Sequence, residues 1–347
     1  MELEKDWIKR PVIHFSMNLG GSDAESLYHY LDDTLTKYEE IYGKRATEAT
    51  LSNRFTGIIE RAYQQSGEQV AVLVDEYDAP LQHSYLTDRH EKCRNLYRDF
   101  FTGLKDYGYC IKCVFLTGIT KFTQISLFSV LNTLSNISFY NCYATICGLT
   151  KEEILENLKD EIQVLAVQKK WDIDQTMHEL KDMYDGYHFS ESLQGVYNPF
   201  SVICALKERR LRPYWIASGA TEMLPKILTN FEKDVETLDG SLIDMDYIET
   251  ADISKDNPKL FLYQSGYLTI KGVIGETYRL GFPNREVKKA LLELVVPNML
   301  NANKEETEIA SRHYADAYAA SKKRLISLAL VFDKENRGLI DWQEADK

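Results

Sequence analysis

The segment VAVLVDEYDAPL, residues 70–81, sets a run of five apolar residues directly before two adjacent carboxylates, Asp75 and Glu76, and enters a turn closed by Pro80. An apolar run of this length without alternation reads as a strand buried on both faces, which in soluble proteins means a parallel sheet covered by helices. Such a strand needs crossover helices to reach its neighbours, and those crossovers are right-handed. The two acids fall at the strand's carboxyl end, the edge where open α/β sheets bind ligands. There one carboxylate can hold a hydrated Mg²⁺ while the other polarises a water. The plainer alternative is that Asp75 or Asp78 caps the next helix.

The flanking sequence supplies the required alternation. PVIHFSMN (11–18) reads as a short strand broken by Gly20 and Gly21. Ser22 with Glu25 forms a capping box, after which Leu27, Leu31, Leu35 and Tyr38 recur at helical spacing up to Gly43. A strand, glycines and a helix N-terminus also describe an anion loop, but no Gly-Lys-Ser/Thr follows here, so a simple helix entry is the reading. A second helix is expected from about Glu48 to Gln65, with Leu51, Phe55, Ile58, Ile59 and Ala62 on one face and Gly67 at its end. After the opening strand comes a helix carrying Leu96, Tyr97, Phe100, Phe101 and Leu104, then the strand CIKCVFLTG, which ends at Thr117 and Gly118. Parallel pairing puts Asp75, Glu76, Thr117 and Gly118 at one edge of one sheet.

Beyond the apolar piece ISFYNCYATICG, Thr150 and Glu153 form a second capping box. From there to about residue 245 the pattern is helical and rich in aromatics, punctuated by YDGYHFS, YNPFS and YWIASGA. His188, between two aromatics, reads as a packed residue, with a base or ligand as the alternative. Residues 255–297 change to helix, strand, glycine turn, strand and helix, compatible with a small winged-helix unit. Pro297 and NANKEETE mark a boundary, followed by a helix around His313 to Ala320, a strand LISLALVFD, a turn from Lys334 to Gly338 and a final LIDW. The expected division is 1–149, 150–245, 246–300 and 301–347, in line with the two or three domains that 347 residues suggest.

Charge and cysteine usage narrow the function classes. A net charge of −12 disfavours general binding to DNA, since phosphate backbones are held by Lys and Arg. Residues 1–20 lack the apolar core of a signal peptide and no segment has the length to span a bilayer, so a cytoplasmic protein is expected. Of six cysteines, Cys110 and Cys113 form a C-x-x-C within a strand, where their side chains point to opposite faces and do not converge on a metal. Buried free thiols in a reducing compartment are the reading, with a metal site as the alternative.

Seven ordered motifs, LVDEYDAP, VFLTGITKFTQISLFSVLNTLSNIS, MYDGYHFS, VYNPFS, YWIASGA, LFLYQSGYLTI and YRLGFPNREV, together resemble the AAA-ATPase-like proteins that carry a C-terminal PD-(D/E)XK nuclease-type domain. The resemblance runs along nearly the whole chain. It implies a P-loop NTPase-like α/β sheet of the AAA type (1–149), a helical lid (150–245), a winged-helix-like segment (246–300) and part of a restriction-endonuclease-like domain (301–347). It implies ATP and Mg²⁺ as ligands. Asp75 looks like the Walker B aspartate that holds the metal through water, and Glu76 like the base that orients the attacking water. Thr117 occupies the sensor position. Lys121 and Asn132 match positions beyond it, where a cation or amide stabilises charge on a transferred phosphoryl group.

Two departures qualify what the resemblance implies. No G-x-x-x-x-G-K-[ST] occurs in the 347 residues, so the amides and lysine that cradle phosphates are missing. No apolar strand carries the Glu-x-Lys of the nuclease centre, and the last segment resembles only the final helix and strands of that domain. The expectation is a truncated member that keeps the scaffold without intrinsic catalysis. The alternatives are a nucleotide-binding subunit completed by an oligomer or a P-loop-bearing partner, and a DNA-binding module working through the winged-helix-like segment. In this ATPase class the strand before the phosphate loop lies beside the Thr117 strand, so the place next to that strand is expected to be filled by ISFYNCYATI, with another chain as the alternative.

Overall fold

The computed structural model describes residues 8–121, 134–215, 235–251 and 257–292, single positions 224 and 253, and the backbone of 328–332 and 339–344. Residues Met1–Leu291 form one compact unit and Leu292–Lys347 a second.

The first unit begins with a parallel sheet of three strands in the order β1 (Val12–Ser16), β2 (Val70–Asp75) and β3 (Ile111–Leu116). β2 is central, with Ser16 opposite Asp75 on one side and Leu116 opposite Val74 on the other. Two helices, α1 (Ala24–Tyr42) and α2 (Leu51–Ser66), make the first crossover, and α3 (Ala79–Ser84) with α4 (His90–Thr102) belong to the second.

The expected burial of β2 on both faces holds for one face. Val70, Val72 and Val74 are fully covered together with Ile13 and Phe15, whereas Ala71 and Leu73 are half-buried. The helices supply the covered layer. Phe55 of α2 stacks on Phe100 of α4 with ring centroids 4.9 Å apart, and the Phe15 ring meets both edge-on. On the opposite face, Leu73 pairs with Phe115, which remains 47% exposed.

Local chemistry sets the helix ends, with two shifts from expectation. α1 is capped by Asp23, whose carboxylate accepts from the Ser26 amide at 2.9 Å, in place of Ser22. α2 begins at Leu51, three residues inside the expected start, and is capped by Thr50, while Glu48 is taken up by a buried ion pair with Arg61. Both helices end at glycines with positive φ, Gly43 and Gly67. Arg54 of α2 reaches Glu39 of α1 at 2.7 Å and also Asp32, tying the two crossover helices together.

Residues 137–148 do not add a strand beside β3. They form turns around a short 3-10 segment, Asn141–Tyr143, and among the described residues β3 has no second neighbour. The piece is apolar enough for a strand, but Tyr140, Tyr143 and Ile146 stay exposed.

Helices α5 (Lys151–Asn157), α6 (Lys159–Lys169), α7 (Ile173–Tyr184) and α8 (Pro199–Glu208) then pack around Ile154, Leu165, Leu180, Tyr184, Tyr197 and Val202. The capping box of Thr150 and Glu153 opens α5 as expected. An antiparallel sheet follows, ordered β4 (Leu242–Asp244), β6 (Thr277–Gly281), β5 (Thr269–Ile274), with α9 (Met245–Thr250), α10 (Pro258–Gln264) and a helix over 285–292, α11. The helix, strand, turn, strand, helix order read from the sequence is present. In the second unit, β7 (Leu328–Phe332) and β8 (Leu339–Glu344) pair antiparallel. The helix expected around His313 lies outside the described residues.

Replacing Phe55 with alanine removes the ring shared by Phe15 and Phe100, and is expected to cost about 3–5 kcal/mol in urea denaturation, the range for emptying a large aromatic from a packed core.

Candidate functional site

The parallel register brings the ends of all three strands to one edge. Chain reversal after β2 begins at Glu76, whose φ of 50° places a non-glycine residue in the left-handed region. That conformation costs on the order of 1 kcal/mol and persists only where surrounding contacts impose it. Here the Tyr77 amide donates to the Thr117 carbonyl at 2.9 Å, and the Thr117 amide donates to the Val74 carbonyl at 2.9 Å. The two strand ends are thus laced together through their backbones.

Side chains continue the lacing. The Thr117 hydroxyl donates to Asp75 Oδ1, which also accepts the Glu76 amide at 3.1 Å. The sequence expectation that Asp75 and Thr117 meet at one edge is therefore met by a direct hydrogen bond. Glu76 stands next to this pair, partly exposed. Its carboxyl group is held above the ordinary glutamate value of 4.5, mainly by burial and then by the charges of Asp75 and Asp78, with His83 opposing.

Asp78 is the residue that sequence reasoning undervalued. Its side chain makes no capping bond to α3, contrary to the simple helix-cap alternative. It is 1% exposed and accepts from the Ile119 amide, the Thr120 amide and hydroxyl, and Gln82. The Tyr77 hydroxyl adds a bond to the Thr120 carbonyl at 2.9 Å. The available signal was the second acid in DEYD, since a buried carboxylate must find donors and the adjoining turn offers them.

Lys121 does not face the acids. Its ammonium donates to the Glu249 carbonyl and its amide to Gln264 Oε1 at 3.0 Å, so the residue joins the strand-end loop to α9 and α10. Asn132 lies outside the described residues. His188 is a packed residue: its amide bonds the Thr269 hydroxyl and its Nδ1 the Ile270 carbonyl at 2.8 Å, while burial pulls its pKa below the usual 6.5.

Among the described residues no three His, Cys, Asp or Glu side chains converge on a metal position. Asp75 with Glu76 nevertheless suits Mg²⁺ in its usual form, mostly hydrated and held by one or two carboxylates plus the phosphates of a bound nucleotide. The six cysteines are free, and Cys93 and Cys110 are buried, but Cys113, Cys142 and Cys147 are exposed, which corrects the expectation of buried thiols. Among the described residues no helix is long and apolar enough to cross a membrane.

Residues 2–128 match the model of a family described as predicted AAA-ATPase, AAA-ATPase_like. The match contains β1, β2, β3 and the whole Asp75–Thr117 edge. A curated relative from Azotobacter chroococcum mcd 1, described as an uncharacterized protein in the vnfD 5′ region, is 32% identical over 298 residues, covering 84% of this chain. The chain spans about half the length of that relative, 55%.

Glu76→Gln is expected to raise the stability of the fold at pH 7. A carboxyl whose folded pKa is raised binds its proton more tightly in the folded state, so its stabilising contribution is present at low pH and is lost as pH rises through the folded value. The difference between Glu76→Gln and the parent should accordingly vanish on lowering the pH below about 4.5, as read by denaturation midpoints across pH.

Proposed function

We propose, proceeding from the match of residues 2–128 to the predicted AAA-ATPase family, that this chain carries the acidic half of a Mg²⁺-nucleotide site. Nucleotide binding is what that family description implies at the family level. In this reading Asp75 holds the hydrated ion, Glu76 orients the attacking water, and Thr117 keeps the Asp75 carboxylate in place from the neighbouring strand. The observation that carries it is the Thr117 hydroxyl bonded to Asp75 at the carboxyl edge of a parallel sheet, beside a glutamate in a strained conformation.

The same charges argue against unaided catalysis. Asp75, Glu76 and Asp78 lie within one turn, the Lys121 ammonium is engaged at Glu249, and the 347 residues hold no G-x-x-x-x-G-K-[ST]. Carboxylates without a phosphate cradle repel a triphosphate. The chain alone is therefore a scaffold whose site needs groups it does not itself contain.

A second reading, an ATPase subunit completed by a P-loop-bearing partner, is favoured by β3. This strand has one paired edge among the described residues, and its Phe115 and Cys113 are exposed. Unpaired strand edges and exposed apolar faces of this kind are ordinarily covered.

Phosphate release and calorimetry with Mg-ATP separate the readings. The purified chain should release phosphate no faster than its Glu76→Gln variant and give no binding heat, and hydrolysis above that control overturns the first reading. Binding heat that appears only when a longer, P-loop-containing relative is added supports completion by a partner. No heat under either condition counts against it.

A further inference from the structure

We propose that Asp78 is a positioning residue for the Asp75–Thr117 pair, gathering the 118–120 loop so that the Thr117 hydroxyl stays on Asp75. This rests on the reading of Asp75 as the metal-holding carboxylate.

The geometry shows a side chain diverted from its local role. Asp78 begins α3, where an aspartate ordinarily accepts an amide of its own first turn, and it makes no such bond. Its carboxylate instead reaches across to the loop after β3. Oδ1 accepts the Ile119 amide at 3.2 Å, and Oδ2 accepts the Thr120 amide at 2.5 Å, the Thr120 hydroxyl at 2.6 Å and Gln82 Nε2 at 2.5 Å. Three of these donors belong to residues two and three positions beyond Thr117.

The loop has no slack in which to compensate. A Cβ on Gly118 would lie 2.4 Å from Asp78 Oδ1 and 2.7 Å from the Tyr77 ring, so the chain passes there only as glycine. With the Tyr77 amide and hydroxyl bonded to the carbonyls of Thr117 and Thr120, the loop is held at both ends. Exchanging the carboxylate for an amide sets an N–H₂ group against donors, and a buried donor without an acceptor is costly. The loop should then release Thr117 from its place while β1 and β2 stay paired.

The test uses the full chain with Asp78→Asn, Thr117→Val and the double variant. Amide exchange at Ile119 and Thr120 should accelerate about tenfold or more in Asp78→Asn, the factor for losing roughly 1.4 kcal/mol of protection, with β1 and β2 amides unchanged. Mn²⁺ alone, as a probe of the Mg²⁺ position, should bind several-fold more weakly in each single variant and no more weakly in the double, the non-additivity expected of residues acting through one contact. If Asp78→Asn does not fold, Thr120→Val removes one donor and should give a smaller change of the same kind.

Unchanged exchange at Ile119 and Thr120, or additive losses of Mn²⁺ affinity, overturns the proposal. A parent chain that binds no Mn²⁺ overturns the metal reading and the positioning role with it, while accelerated exchange would still show that the clamp exists.

Discussion

The pairing of β2 on both of its edges is the constraint from which the acidic edge follows. A strand whose amides and carbonyls cannot reach water has to spend them on neighbours, and here they go to β1 and β3 in parallel register. Parallel register ends the three strands on the same side, so Ser16, Asp75 and Thr117 come together without any side chain needing to draw them there. The side-chain bond between Thr117 and Asp75, the strained Glu76 and the Asp78 clamp are all built on that shared edge.

The motifs beyond residue 128 play a different part. The hydroxyl of Thr269 bonds both the amide and the carbonyl of His188, and Lys271 reaches the carbonyls of Gly186 and Pro283. Asn284 donates to the Asp185 carbonyl, and Glu286, fully buried, accepts from Ser201, Tyr214 and Trp215. Burial raises the pKa of Glu286, and those three donors pull against the rise. YDGYHFS, YNPFS, the YW of YWIASGA, YQSGYLTI and FPNREV are therefore joints, tied to one another by these hydrogen bonds. Their chemistry is that of a fold that must hold α7 and α8 against β5 and α11.

Much of the first unit was legible in residue patterns. The apolar run before Asp75, the helical spacing in α1 and α2, and the glycines at 43 and 67 each correspond to an observed element. The misses share a cause. Ser22 and Glu48 looked like local helix starts, but Asp23 has the better reach and Glu48 is claimed by Arg61 from the same helix it was expected to open. ISFYNCYATICG has strand composition and no strand, since composition does not say whether a neighbour is available to pair. Lys121 has the charge for a phosphoryl site and a different partner, a carbonyl supplied 128 positions away in the sequence.

What the sequence determined by itself was the parallel α/β character of the first part and the meeting of Asp75 with Thr117, because strand periodicity and crossover rules act over short stretches. What only the tertiary structure decided was the role of each polar side chain around that edge. Asp78 turned from cap to clamp, Lys121 turned away to Glu249, and among the described residues one face of the sheet is only partly covered at Leu73 and Phe115. Those outcomes depend on which donors and apolar surfaces lie within reach once distant segments are folded together, and a hydrogen bond or a covering side chain acts only at contact.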